Sequence, residues 1–122
     1  MAEILIVDDD PVIRDTLYEL LSANYRCTAA GTGEEALRKL RQQSYAVVLT
    51  DISMPGLSGL ELLKRIVEEF PGTPVIMISG HSDHEQAQEM LNRGAFAYLL
   101  KPFRLEVVEE SVARAVESRL RE

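Results

Sequence analysis

Short apolar runs alternate with longer segments of helical periodicity along the 122-residue chain. The runs are too short for free-standing helices, and most are bounded by Gly, Pro or acidic residues, which is typical of buried β-strands. The second run is the least apolar and predicts the weakest strand. Together the runs predict five strands, at 4–7, 25–30, 45–50, 75–78 and 96–100.

The segments between and after the strands have apolar residues every three or four positions, which predicts five amphipathic helices. The first begins at Pro11, after an acidic cap. Thr32, followed three residues later by Glu35, predicts a capping box at the start of the second. The fourth covers about 83–93 and ends at Gly94. The inner faces of the second, third and fifth helices are predicted from Ala36, Leu37 and Leu40; from Leu60, Leu63, Ile66, Val67 and Phe70; and from Leu105, Val108, Val112, Ala115 and Val116.

Strands and helices that alternate in this way predict an α/β protein. Its five-stranded parallel sheet would be covered by helices on both faces. The sequence contains no internal repeat, low-complexity segment or linker. We therefore expect one domain that spans residues 1–122, with a core large enough to need no disulfide.

The charge of the chain narrows the classes of partner. The formal net charge is −7, which disfavours direct binding to nucleic acid because phosphate backbones require clustered Lys and Arg. No apolar run approaches the roughly 20 residues needed to span a bilayer, and no signal peptide is recognisable. The single cysteine, Cys27, is predicted to be a small core residue, and a cytoplasmic location fits this cysteine usage. A protein, a cation or a phosphorylated group remains as the expected partner.

Polar side chains suited to phosphoryl chemistry follow four of the predicted strands. They are Asp8 and Asp9, Asp51, Ser79 and Lys101. The carboxyl ends of parallel strands share one edge of a sheet, where ligands bind. Clustered carboxylates need a cation, and oxygen ligands of this kind suit Mg²⁺ better than Zn²⁺. A lone Asp51 would more simply be a cap or turn residue. Within this group, however, it is the natural nucleophile for forming an acyl phosphate.

Four motifs, in order, make the chain resemble the receiver domain of two-component response regulators over essentially its whole length. Each motif is weak alone, but together and at these spacings they are specific. Ser79 replaces the family's more frequent Thr and Gly80 its more frequent Ala, without loss of a group that the chemistry needs. The motifs are the acidic strand end at 4–10, Asp51-x-x-Met54-Pro55-x-x-x-Gly59, Ser79, and Lys101-Pro102-Phe103.

The resemblance implies a flavodoxin-like (βα)5 fold with strand order 2-1-3-4-5 and a bound Mg²⁺ ion. Asp8 and Asp9 would hold the Mg²⁺ together with Asp51 and the main-chain oxygen of Ser53. Asp10 is not expected to bind the metal, and we interpret it as the cap of the first helix.

The resemblance also implies a phosphorylation site and a switch. Asp51 would accept a phosphoryl group from a histidine kinase or phosphotransfer protein, and Ser79 and Lys101 would contact the bound group. Tyr98 lies at the position of the family's switch aromatic. In that hypothesis Ser79 moves toward the phosphoryl group while Tyr98 turns inward, which shifts an existing conformational equilibrium.

The function implied is a signalling switch, not a dedicated enzyme, whose phosphorylation changes a partner- or dimer-binding surface. Residues 79–83 look most like receivers of transcription-activating effectors, so we expect the regulatory domain of, or a partner to, such an effector. A homodimer through the fourth helix, fifth strand and fifth helix is possible, without nucleic-acid or membrane contact by this domain. Two alternatives stay open: a phosphorylation-independent interaction module, and a Mg²⁺-dependent phosphohydrolase with an aspartyl-phosphate intermediate.

Two further features lie near the predicted site. His81 and His84 are three residues apart, but no Cys or further His accompanies them, so a zinc site is not predicted. His81 follows Ser79 closely and is expected to influence hydrolysis of the acyl phosphate. The resemblance also predicts a cis peptide bond between Lys101 and Pro102.

Overall fold

The fold is an alternation of five strands and five helices, described by a computed structural model for residues 1–80 and 84–120. None of the described helices is both long and apolar enough to cross a membrane. The strands are β1 (Glu3–Val7), β2 (Arg26–Ala30), β3 (Val47–Asp51), β4 (Val75–Ser79) and β5 (Ala97–Leu100). The helices are α1 (Pro11–Leu21), α2 (Gly33–Gln42), α3 (Gly59–Glu69), α4 (His84–Asn92) and α5 (Leu105–Leu120).

The five strands form one sheet in the order β2-β1-β3-β4-β5, and every neighbouring pair is parallel. The predicted fold class and strand order are therefore confirmed. In this order β1 and β3 lie side by side although α1, β2 and α2 separate them in sequence. The carboxyl ends of β1, β3, β4 and β5 consequently meet along one edge of the sheet.

Alternate residues of the central strands pack on opposite faces, as the period of two in a β-strand requires. On one face Leu5, Val48 and Met77 join buried residues of α2, α3 and α4. On the other face Ile4 and Leu49 join buried residues of α1 and α5. The sheet is therefore covered on both faces, as predicted, with three helices on one side and two on the other.

Side-chain caps fix the starts of three helices. Asp10 Oδ1 accepts a hydrogen bond from the Val12 N–H at 2.9 Å, which confirms its predicted capping role at α1. Thr32 Oγ1 accepts from the Glu35 N–H at 3.1 Å at the start of α2. Ser58 caps α3 in the same way, although no prediction was made for it. Each cap satisfies a backbone donor that has no partner within its helix.

The strand ends matter most for the site, and here the predictions need small adjustments. The third strand begins at Val47 rather than Tyr45, and Asp51 is its last residue rather than the residue after it. Ser79 is likewise the last residue of β4. The main chains of Asp51 and Ser79 are therefore held by the hydrogen-bonded ladder of the sheet, which fixes the point from which each side chain extends.

Two residues assigned to inner helix faces are more exposed than predicted. Val67 and Leu105 are each 40% exposed, while Ile66 and Val108 beside the same faces are fully buried. The stripe of α3 that contacts the sheet is centred on Leu62, Leu63 and Ile66, so Val67 lies at its margin. Cys27 is half-buried against the α1–α5 side of the core, and burial raises the pKa of its thiol.

Candidate functional site

The register of the sheet brings the predicted acids together. Val7 of β1 pairs with Thr50 of β3, so Asp8 and Asp51, the next residue of each segment, follow side by side. One carboxylate oxygen from each of Asp8, Asp9 and Asp51 lies within 4.8 Å of the other two. Asp8 and Asp51 are buried, whereas Asp9 is exposed. The result is an acidic cluster at the sheet edge, open to solvent on the Asp9 side.

Lys101 reaches this cluster from the end of β5. Its Nζ lies 3.4 Å from Asp51 Oδ2 and 3.9 Å from Asp8 Oδ2. The Lys101 main-chain N–H donates to the Ser79 carbonyl at 2.7 Å, which fixes this residue beside the end of β4. The Lys101–Pro102 peptide bond is cis, as predicted. One ammonium group thus faces three carboxylates, so the cluster retains an excess of negative charge.

The surroundings of the Asp8 carboxyl disfavour its charged form. Burial raises its pKa above the usual value, and the neighbouring charges of Asp51 and Asp9 raise it further. The Asp10 N–H, which donates to Asp8 Oδ1 at 2.9 Å, and the Lys101 ammonium both lower it. Asp8 Oδ2 is buried and has no hydrogen-bond partner among the described residues. This carboxylate is therefore only partly compensated by the protein itself.

The cluster fits a hard divalent cation. Three converging carboxylates, with one buried oxygen lacking a hydrogen-bond partner, form an oxygen donor set of the kind that Mg²⁺ prefers. A cation there would offset the charge excess that Lys101 leaves. The Ser53 N–H donates to Asp51 Oδ1 at 3.4 Å, which places the main chain of this residue beside the cluster. The metal-ligand role of the Ser53 carbonyl stays a prediction.

The segment between Asp51 and α3, residues 52–58, is hereafter the β3–α3 loop. It is closed at its base by a hydrogen bond of 2.8 Å from the Gly59 N–H to the Ile52 carbonyl. A Cβ atom on Gly59 would lie 2.2 Å from the Asp51 carbonyl oxygen and 2.6 Å from the Ile52 Cα. Gly59 is therefore required because the start of α3 packs directly against the backbone at the end of β3.

We expect Gly59→Ala to lower the free energy of unfolding by about 2–3 kcal/mol, because the added methyl overlaps backbone that cannot move without disturbing β3. Chemical denaturation followed by circular dichroism measures this change. Gly80→Ala is the matched control, since a Cβ atom at Gly80 meets nothing within 4 Å. Equal stability of the two variants would contradict the close approach at Gly59.

The two predicted switch residues lie on adjacent strands. Ser79 is almost completely buried at the end of β4, and Tyr98 of β5 is half-buried. The Tyr98 ring packs against the core on the α2–α4 side of the sheet. Its hydroxyl is buried and has no hydrogen-bond partner among the described residues. Tyr98 thus faces inward in this structure, and its role as a switch stays a prediction.

We expect Tyr98→Phe to raise the free energy of unfolding by about 1 kcal/mol, because it removes a buried hydroxyl that lacks a partner. Thermal or chemical unfolding of the unphosphorylated protein measures the effect. Tyr18→Phe, at an exposed position on α1, is the control and should change stability little. A less stable Tyr98→Phe variant would show that the hydroxyl forms a hydrogen bond in solution.

Two residues near the site were not predicted from the sequence. The Arg14 guanidinium of α1 donates through Nη1 to the Asp8 carbonyl at 3.1 Å. The Glu34 carboxylate of α2 accepts a hydrogen bond from the Leu57 N–H at 3.3 Å. Neither residue belongs to a recognisable motif. Arg14 lies six residues after Asp8, and this short separation is the only sequence signal for their contact. Glu34 has no such signal, because its partner Leu57 is 23 residues away.

The histidines cannot be placed in the site. His81 lies outside the described residues, as does the side chain of His84. The expectation that His81 influences hydrolysis therefore stays a prediction.

Fold and site together define a class: a parallel α/β domain with an acidic cluster and a lysine at the carboxyl edge of its sheet. The family model described as the response regulator receiver domain matches residues 4–113. The chain belongs to this family. The family binds Mg²⁺ at a cluster of Asp residues, and the acidic cluster of this chain is consistent with such a site.

Similar proteins support the assignment. The chain is 42% identical over 112 residues to the DNA-binding transcriptional regulator NtrC of Escherichia coli K12, a match that covers 91% of this chain and 24% of NtrC. A receiver domain protein from Clostridium thermocellum is 32% identical with a TM-score of 0.92, covering 98% of each chain. A CheY-like receiver domain protein from Methanospirillum hungatei JF-1 is 32% identical with a TM-score of 0.93, covering 99% and 98%. The chain thus spans about a quarter of the length of the curated relative.

Proposed function

We propose that the protein is a phosphorylation-activated switch in which Asp51 accepts a phosphoryl group from the phosphohistidine of a histidine kinase or phosphotransfer protein. An Asp51 oxygen would form the new bond to phosphorus while the phosphorus–nitrogen bond breaks, and the departing imidazole takes up a proton. The observation that supports this most is the position of Asp51 at the end of β3, buried beside Asp8 and 3.4 Å from the Lys101 ammonium.

The residues around Asp51 would together allow a dianionic phosphoryl group to approach, because they would hold positive charge beside it. Asp8, Asp9, Asp51 and the Ser53 main-chain oxygen would hold Mg²⁺, which when bound supplies positive charge for the phosphoryl oxygens. Lys101 would exchange its present contact with the Asp51 carboxylate for one with the phosphoryl group.

The output would be a change of binding surface. In the phosphorylated state Ser79 would donate a hydrogen bond to the phosphoryl group, and this movement would be coupled to Tyr98 on the adjacent strand. Exposed apolar side chains lie on α4, β5 and α5, at Leu91, Leu100 and Val107. They support a homodimer or effector surface on these elements.

Similarity to NtrC supports a regulatory role in transcription, and we propose a location in the cytoplasm for this role. The domain would act through an effector, without contacting nucleic acid or membrane itself. Residues 1–122 would form one receiver domain. All the acids and the lysine needed for phosphorylation are present, which favours this function over a phosphorylation-independent interaction module.

Phosphorylation by acetyl phosphate tests the proposal. The protein is incubated with this small donor in the presence of Mg²⁺ or of excess EDTA, and intact mass is measured. We expect addition of one phosphoryl group that requires Mg²⁺ and is stable to acid but labile to base, as an acyl phosphate is. No addition in Mg²⁺ would contradict the proposal and favour the interaction module.

A further inference from the structure

The first turn of α2 lies directly against the β3–α3 loop. A Cβ atom on Gly33 would lie 2.9 Å from the Leu57 carbonyl oxygen and 3.0 Å from the Leu57 Cβ. One residue further along, Glu34 Oε2 accepts the hydrogen bond from the Leu57 N–H. The close approach at Gly33 thus lets the Glu34 carboxylate reach the backbone of the loop.

The loop adopts a special backbone conformation at this contact. Gly56 has φ of +75°, a value that residues with a Cβ atom rarely adopt. A Cβ atom there would also lie 2.9 Å from Glu34 Oε2. The positive φ and the missing side chain together turn the Leu57 N–H toward α2, where Glu34 is its acceptor. Glu34 thus holds the loop at Leu57, on the side that faces α2.

The near end of the same loop borders the acidic cluster. The Ser53 N–H donates to Asp51 Oδ1. The side chains of Ile52 and Met54, on either side of Ser53, are buried in the core. The Gly59–Ile52 hydrogen bond closes the loop into a short ring of backbone. Only three residues, Met54, Pro55 and Gly56, lie between Ser53 and Leu57, and proline has a fixed φ, so few backbone torsions can absorb a displacement at Leu57.

We propose that Glu34 is a positioning residue for the phosphorylation site. By accepting the Leu57 N–H it fixes the β3–α3 loop, and through the loop it sets the position of the Ser53 main chain relative to Asp51. This inference rests on the proposed function for its consequence, which is tighter Mg²⁺ binding at the acidic cluster. The positioning itself is a property of the metal-free protein and is measurable without phosphorylation.

The test compares three variants with the natural protein. Glu34→Ala removes the acceptor. Glu34→Gln keeps an acceptor oxygen but removes the charge, so it should preserve most of the positioning of the loop. Glu35→Gln removes the same charge from the same helical turn and is the control, because acids in this turn also stabilise α2 through its dipole.

Two measurements report the result. Amide hydrogen exchange in the metal-free protein, resolved at Leu57 and Ser53, should be about two- to tenfold faster in Glu34→Ala, the range expected for losing one hydrogen bond. Calorimetric titration with Mg²⁺ should give an affinity about two- to tenfold weaker for the same variant. Glu34→Gln and Glu35→Gln should stay within about twofold of the natural protein in both measurements.

Each other outcome would overturn the inference in a recognisable way. Unchanged exchange in Glu34→Ala would show that the contact does not hold the loop. Faster exchange with unchanged Mg²⁺ affinity would show that the loop is held but does not position the metal site. Equal effects in all three variants would assign the change to helix charge. Failure of phosphorylation with acetyl phosphate would instead contradict the proposed function and leave the exchange result intact.

Discussion

Asp51→Asn is expected to abolish phosphoryl addition from acetyl phosphate completely. The amide that replaces the carboxylate has almost the same shape and can still accept a hydrogen bond from Lys101. It lacks the anionic oxygen that forms the bond to phosphorus. Folding should therefore be preserved while the acceptor is lost. Intact mass after incubation with donor and Mg²⁺ measures the result, and circular dichroism confirms that the variant is folded.

Asp10→Asn is the matched control for this experiment. Asp10 is an acid at the same sheet edge, but it is exposed and caps α1. Asn is an equally good cap, so this variant should fold normally and accept one phosphoryl group. Full phosphorylation of Asp51→Asn would identify another residue as the acceptor and contradict the mechanism. Loss of phosphorylation in Asp10→Asn would show that the edge tolerates no change of charge.

Asp8→Asn is expected to have two opposite effects: loss of Mg²⁺ binding and greater stability of the metal-free protein. Asp8 is fully buried, faces the carboxylates of Asp51 and Asp9, and has one oxygen without a hydrogen-bond partner. Removing an incompletely compensated buried charge should raise the free energy of unfolding at pH 7 by about 1–2 kcal/mol. This corresponds to a rise of about 5 °C in Tm for a domain of this size.

The stability difference should depend on pH in a defined direction. Burial raises the Asp8 pKa in the folded protein, so the unfolded chain ionises this group at lower pH. The shifted pKa of Asp8 therefore contributes to the stability of the folded protein where the group is protonated. This contribution is fully present below about pH 4 and is lost as the pH rises through the raised folded-state pKa. The advantage of Asp8→Asn should therefore be largest near neutral pH and should vanish as the pH falls toward 4. Thermal unfolding in EDTA across this range measures it.

Mg²⁺ should reverse the order of stability. It should raise the Tm of the natural protein, because a ligand that binds only the folded state stabilises it, and should leave Asp8→Asn unchanged. Asp9→Asn is the control. Asp9 is exposed, so its replacement should weaken Mg²⁺ binding with little effect on metal-free stability. A lower Tm for Asp8→Asn than for the natural protein at pH 7 in EDTA would show that Lys101 compensates the Asp8 charge fully.

The sequence determined the kind of elements and their order along the chain. Apolar runs of four to six residues bounded by turn signals are typical of strands in a covered sheet, and their alternation with helices predicts that the strands are parallel. This pattern by itself predicts that Asp51, Ser79 and Lys101 lie at one edge of the sheet. The strand order came from the resemblance, because alternation alone is compatible with several orders. The roles of these residues stay predictions until phosphorylation is measured.

The tertiary structure decided what depends on contacts between distant segments. Adjacent Asp8 and Asp9 differ completely in exposure, and no local pattern separates them, because burial is set by which neighbouring strand covers each side chain. Only the fold places Glu34 beside Leu57, since their contact requires α2 and the β3–α3 loop to pack together. Local sequence specifies periodicity and end signals, whereas charge compensation and loop positioning arise from packing across the sheet edge.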